Sequence, residues 1–361
     1  MLYYLFYPLA EQVHLFNLFR YITFRSASAL VTALLISFLL GPLIIGWLKK
    51  LKIKDIGRED LPAEHRNKVG TPTMGGLIIL AAIIIPVLLW ADLSNRYIQI
   101  SLAATIGLGL IGFYDDYLKV VKKNPKGLVG RKKLVGQFAV ALLIAVYLRF
   151  FPLNPEYATK TSLLFFKNIF IDLAWFYIPF VTLVIVFTSN AVNLTDGLDG
   201  LAIGVFLFAA AAYAIMCYIT GNFKWAQYLN LLFMKGSGEL TVLCAAMVGA
   251  AMGFLWYNTH PAEIMMGDTG SLALGGVIGT VSVLIKQEIL LGLVGGVFVM
   301  EAFSVILQVA SFKSTGKRIF RMTPIHHHFQ KIGWSEQKIV VRFWIIAFIC
   351  ALVALSTLKI R

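Results

Sequence analysis

Residues 190–200 read Asn190-Ala191-Val192-Asn193-Leu194-Thr195-Asp196-Gly197-Leu198-Asp199-Gly200. The stretch is a polar insert between two apolar runs, at about 169–190 and 198–219, each long enough to cross a bilayer as a helix. Its two Asp-Gly pairs mark tight turns. A carboxylate beside a hydrocarbon-facing segment is costly unless it has a partner. A polar interhelical loop accounts for the composition. Two acids three residues apart point further, to a functional site, and their usual partner is a hard cation such as magnesium.

Composition sets the frame. The chain has 361 residues, of which 59% are hydrophobic and only 14% charged. Apolar runs of near-spanning length recur throughout, which excludes a soluble domain and predicts an all-α polytopic membrane protein, residues 1–361 forming one integral-membrane domain. The net charge of +14 favours anionic headgroups or a phosphate-bearing substrate and gives little support to nucleic acid as a partner. Cys217, Cys244 and Cys350 lie in apolar runs and read as small core residues. Residues 1–20 lack a basic n-region and a small-residue cleavage site, and their Tyr, Phe and Leu content predicts an interfacial helix.

About ten spans are expected, near 23–48, 72–91, 97–115, 131–151, 169–190, 198–219, 239–257, 270–286, 289–312 and 339–359. Basic residues crowd the links after spans 1, 3 and 9, among them Lys49, Lys50, Lys68, Lys119, Lys122, Lys132, Lys133, Lys313 and Arg321. The positive-inside rule puts the odd-numbered links in the cytoplasm and both termini on the periplasmic or extracellular side. Lys359 and Arg361 run against that assignment. Four polar clusters, two of which took no part in the charge count, then face the cytoplasm.

Asp115 and Asp116 end span 3, and adjacent helical acids project about 100° apart, so they can serve different tasks. They also fit two solvated acids that neutralise the following lysines. Asp196 and Asp199 share a face if a helix begins near Thr195, where the helix dipole favours anions. In the third cluster, Asp268 lies between Gly267 and Gly270 ahead of span 8, a candidate metal ligand or a simple cap, and Asn258 is a candidate hydrogen-bonding group. The fourth cluster is Pro324-Ile325-His326-His327-His328. Three consecutive histidines cannot all face one site, and phosphate contact by one or two suits them better than zinc. Glu301, Ser304 and Gln308 form a polar stripe within span 9. Thr71–Gly76 opens span 2 with a cap, Pro72 at the first helical position and a Gly pair. Acids, histidines and lysines on one face suit magnesium-dependent phosphoryl transfer.

Asp115-Asp116-Tyr117, Asn193–Gly200, Met266-Gly267-Asp268-Thr269-Gly270-Ser271 and His326–His328 resemble the motifs of the polyprenyl-phosphate phosphosugar transferases. Pro324–His328 and Thr71–Gly76 are similar to its muramoyl-pentapeptide branch, and the likeness spans the chain from Tyr21–Arg25 to Val341–Ile346. The resemblance implies a glycosyl-1-phosphate transferase of a bacterial inner membrane, with Mg2+ as cofactor. Undecaprenyl phosphate would attack UDP-N-acetylmuramoyl-pentapeptide, giving lipid I and UMP. It further implies ten spans, a cytoplasm-facing site and a homodimer. Catalytic roles then fall on Asp115, Asp116, Asp268 and His327, with Asp268 on the metal and Asp115 and Asp116 assisting the lipid phosphate, either as base or through the metal. Lys68, Thr73, Asn193, Asp196, Asp199, Asn258, Met265, Gln308, His326 and His328 would meet the substrate. Where the family often has Phe, the chain has Met265, a polarizable contact without a ring face for uracil. Two rivals are a sister transferase using UDP-N-acetylglucosamine and a cation transporter. Transporters place acids near the bilayer midplane, whereas these, apart from Glu301, gather at one membrane face.

Overall fold

The computed structural model describes residues 2–11, 13–50, 71–122, 124, 127–163 and 169–360. Lys68 lies outside them. Among the described residues the main helices are α1 (Ile22–Lys50), α2 (Gly76–Trp90), α3 (Arg96–Val120), α4 (Gly130–Phe150), α5 (Tyr177–Thr195), α6 (Leu201–Thr220), α7 (Leu240–Asn258), α8 (Gly267–Leu284), α9 (Glu288–Val294), α10 (Gly296–Thr315), α11 (Ile325–Lys331) and α12 (Glu336–Ile360), with a shorter one at Phe223–Tyr228. Among the described residues, nine helical segments are long and apolar enough to cross a membrane.

Several details differ from the reading of the sequence. Helix α2 starts at Gly76, so Pro72 is not its first residue, and α6 starts at Leu201, so Asp196 and Asp199 lie in the turn before it rather than on one helix face. The second span is helical over 15 residues only, about 22 Å at 1.5 Å per residue, short of a typical hydrocarbon core of about 30 Å. The ninth is interrupted at Gly295, which separates α9 from α10. The run expected from 169 begins as a strand: β1 (Lys160–Ser162) and β2 (Phe170–Asp172) pair antiparallel with Lys160 opposite Asp172, a small addition to an otherwise helical fold. Residues 1–20 do not form one helix. An α-helical turn at Leu2–Phe6 is followed by 3-10 segments at Tyr7–Glu11 and His14–Arg20, with the Phe19 ring stacked 5.7 Å from Trp90.

Helix α8 is the centre. Every residue from Thr269 to Leu284 is buried, and α8 packs against α3, α5 and α2. Between apolar helices in lipid, close backbone approach replaces the hydrophobic drive, so small residues line the contact. A methyl group at Gly112 would lie 2.1 Å from the Asp268 carbonyl, and one at Gly76 would lie 2.1 Å from the Gly270 nitrogen. Around this core α7 packs on α1 and α6, and α12 on α6.

The termini share one end of the bundle: the Tyr4 hydroxyl donates to Asp92, and Lys359 lies 4.1 Å from the Tyr228 ring centre. That end is tied by buried charge. Arg25 donates to Glu239 at 2.7 Å and to the Trp90 carbonyl at 3.2 Å, and Glu239 also accepts the Asp92 N–H. Thr161 of the hairpin donates to Glu288 at 2.7 Å, and Ser162 donates to the Lys286 carbonyl at 2.6 Å. The acids of the first three predicted clusters lie at the opposite end.

Removing one partner of a buried ion pair strands the other. Glu239→Gln is expected to cost about 3–5 kcal/mol of stability, and the apolar double replacement Arg25→Met/Glu239→Leu distinctly less. Thermal unfolding of the detergent-purified chain checks this; equal losses would contradict it.

Candidate active site

The site is built where α3, α4, α5 and α8 end together. Asp268, in the first turn of α8, is held on both oxygens. Oδ1 accepts from the Asn193 side-chain amide at 2.6 Å, and Oδ2 accepts from Lys119 at 2.7 Å and Lys133 at 2.9 Å. Asn193, near the end of α5, also donates to the Ser271 hydroxyl at 2.8 Å. Asp115 lies one helical turn before Lys119 on α3. Its Oδ2 is 2.9 Å from Lys119 and 3.6 Å from Lys133, and its Oδ1 accepts the Leu128 N–H at 2.6 Å. Two carboxylates thus share two ammonium groups.

Asp116 does different work. Met266, at the N-cap position of α8, supplies no side-chain cap. Asp116 fills that role from α3: it accepts the Asp268 N–H at 3.2 Å, the Thr269 N–H at 2.8 Å and the Thr269 hydroxyl at 2.6 Å. Gly267, at φ +74°, takes the left-handed conformation that brings the chain under this carboxylate; a methyl group there would lie 2.8 Å from it. Asp196, just beyond α5, accepts the Gly267 N–H, and its carboxyl is pushed up to about 8 by burial first and then by Asp268 and Asp116. At neutral pH it is mostly protonated.

The other polar residues form a shell around this centre. Asp199 is buried, accepts the Ala262 N–H at 3.2 Å and lies 3.0 Å from His260, while its own N–H reaches Glu336 at 2.8 Å. Among the described residues, Asp199, His260 and Glu336 are the group of three metal-ligand side chains whose ligand atoms lie within 4.8 Å of one another. Asn258 is buried, with its oxygen on the Gly200 N–H and its amide on the Ile264 carbonyl. The Met265 N–H donates to the Pro72 carbonyl, and its carbonyl accepts from Gly75, so 72–76 and 265–266 run side by side with Thr73 next to Gly267. Gln308 binds the backbone of Ile319 and Phe320.

The three histidines divide as their spacing demands. His326 is fully buried against Glu301, His327 is nearly buried with Nδ1 2.8 Å from Gln330, and His328 accepts the Arg321 N–H. Lys119, Lys133, His260 and Glu336 had not been singled out as site residues. The i,i+4 spacing of Asp115 and Lys119 was the available signal for one of them. Nothing local in the sequence connects Lys133 to Asp268 or Glu336 to Asp199.

Hard oxygen donors on Asp115 and Asp268, converging where positive charge already sits, fit a divalent cation of the magnesium kind.

A family model described as glycosyl transferase family 4 matches residues 98–286, which include Asp115, Asn193, Asp196 and Asp268. Over all of both chains, the sequence is 58% identical to the phospho-N-acetylmuramoyl-pentapeptide-transferase of Pelobacter propionicus and 56% identical to that of Citrifermentans bemidjiense. It is 52% identical, again over the full length, to the enzyme of that name from Thermodesulfovibrio yellowstonii.

The cap on α8 is testable by itself. Thr269→Val deletes the hydroxyl bond to Asp116, and a loss of about 1–2 kcal/mol is expected, with Thr269→Ser close to the native chain. Thermal midpoints of the two variants decide; identical midpoints would remove Thr269 from the cap.

Proposed function

The chain belongs to the phospho-N-acetylmuramoyl-pentapeptide transferases, and from that premise we propose how its site carries the reaction. It is a multi-pass membrane transferase of peptidoglycan synthesis. In the proposed reaction the donor is UDP-N-acetylmuramoyl-pentapeptide and the acceptor is undecaprenyl phosphate. A lipid phosphate oxygen attacks the β-phosphorus, the bond from that phosphorus to the oxygen bridging it to the α-phosphate breaks, and UMP leaves with the electron pair. The product is lipid I.

The observation that carries this reading is the sharing of Lys119 and Lys133 by Asp115 and Asp268 at the α8 N-terminus. Acids that hold a cation and bases that meet phosphate stand within one hydrogen-bonded cluster. Asp268 and Asp115 would hold Mg2+, which supplies neutralisation of the diphosphate charge. Asn193 orients Asp268. Lys119 and Lys133, once drawn from the carboxylates, neutralise phosphate oxygens. His327 faces the phosphate or sugar. A phosphate monoester has a second pKa of about 6, so the acceptor is mostly dianionic at neutral pH and needs little help from a base. Direct in-line attack follows, without a phospho-aspartyl intermediate.

The basic links support a cytoplasmic position for this end of the bundle, with the termini across the membrane. A homodimer in a bacterial inner membrane completes the proposal. Asp115, Asp116, Asp196, Asp199 and Asp268 gather at one end of the bundle rather than along a path through it, which disfavours a cation transporter.

UMP release by purified protein tests the reaction. Release is expected to need undecaprenyl phosphate, to stop with EDTA, and to fall about a hundredfold or more in Asp268→Ala. Release only with UDP-N-acetylglucosamine would move the chain to the sister activity. A phospho-aspartyl enzyme trapped by rapid quench would overturn direct attack.

A further inference from the structure

Glu301 is a buried acid that the proposed reaction leaves unused. It lies in α10, and Oε1 is 3.1 Å from Nδ1 of His326, with both side chains at 0% exposure. The remaining polar atom of each, Oε2 of Glu301 and Nε2 of His326, has no hydrogen-bond partner among the described residues. A carboxylate on one imidazole nitrogen fixes the ring's tautomer and orientation and aims the other nitrogen. Here Nε2 is aimed at the turn after α5: a methyl group at Gly197 would lie 2.2 Å from it. Gly197 follows Asp196, whose carboxyl accepts from Gly267 next to Asp268. On its other side the His326 ring lies 4.2 Å from the His327 ring. One buried imidazole therefore touches α10 through Glu301, the Asp196–Gly197 turn through Nε2, and His327.

We propose that Glu301 and His326 are positioning residues for the transfer: the carboxylate holds the His326 ring, and the ring holds His327 and the Asp196–Gly197 turn in register. The proposal rests on the reaction assigned above. A pair serving only to join α10 to α11 would need no contact with Gly197 and no orphan nitrogen directed there.

Glu301→Leu removes the acceptor for Nδ1, and Glu301→Gln keeps an acceptor oxygen. Both are compared with the native full-length chain in detergent, with UMP binding by calorimetry counting the intact sites. In Glu301→Leu the turnover per UMP-binding site is expected to fall about tenfold or more, with the UMP dissociation constant within about threefold of native; Glu301→Gln restores most of the rate. In the native chain diethyl pyrocarbonate acylates the exposed His14 and His260 but spares His326, and Glu301→Leu abolishes that protection. Unchanged turnover per site in Glu301→Leu, or a loss that only tracks the number of UMP-binding sites, would reduce the pair to a structural tie. Acylation of native His326 as fast as His14 would overturn the geometry. If Glu301→Leu does not fold, Gly197→Ala presses the ring from the other side, and the same loss with UMP binding retained is expected. A native chain that releases no UMP would sink the reaction, while the protection of His326 remains readable on its own.

Discussion

The first turn of Gly267–Leu284 is the constraint on which the rest of the structure depends. Thr269 is fully buried, and the helix brings its leading N–H groups into the protein with no cap from the residue before it. Unpaired donors in such a place are costly. Asp116 from one helix and Asp196 from the end of another accept them. Gly76 and Gly112 meanwhile bring two backbones against the same turn. The position of Asp268 is thus set by three neighbouring helices. This is the preorganisation a phosphoryl-transfer site requires, because positioning and charge are most of what the protein has to offer that chemistry.

Once the cap is assigned, the adjacent acids Asp115 and Asp116 separate into different tasks. Their side chains diverge on α3, so one reaches the α8 backbone and the other reaches the lysines. The lysines come from two directions, Lys119 from the same helix and Lys133 from the start of α4, and both settle on Asp268. Carboxylates this close repel one another unless cations stand between them.

The spans were legible because length and apolarity are properties of a continuous run, which needs no knowledge of neighbours. Where that failed, the cause was local. Residues 169–172 are apolar enough for a span but pair with Lys160–Ser162 as a strand. The ninth run is apolar on both sides of the Gly295-Gly296 pair, and its helix breaks there. Of the site, the acids were legible as residues out of place in an acid-poor chain. What each polar group touches was not, since it is decided by residues distant in sequence. Asn258 spends its amide on Gly200 and Ile264, Gln308 holds the backbone at 319–320, and His326 turns to Glu301. Those three contacts fasten the fold, whatever else the residues meet.

The two ends of the bundle use the same few charges in opposite ways. At the end carrying the termini, Glu239 faces Arg25 and backbone N–H groups, so its charge is answered by one fixed cation. At the other end, Asp115 and Asp268 draw on the same two lysines, and neither acid has a cation to itself. A buried pair with matched partners resists change, because any rearrangement strands a charge. A cluster whose members compete has several arrangements of similar cost, and an incoming ion or phosphate can select among them. The terminal end is therefore suited to holding the helices together, and the end built around α8 to exchanging partners during a reaction.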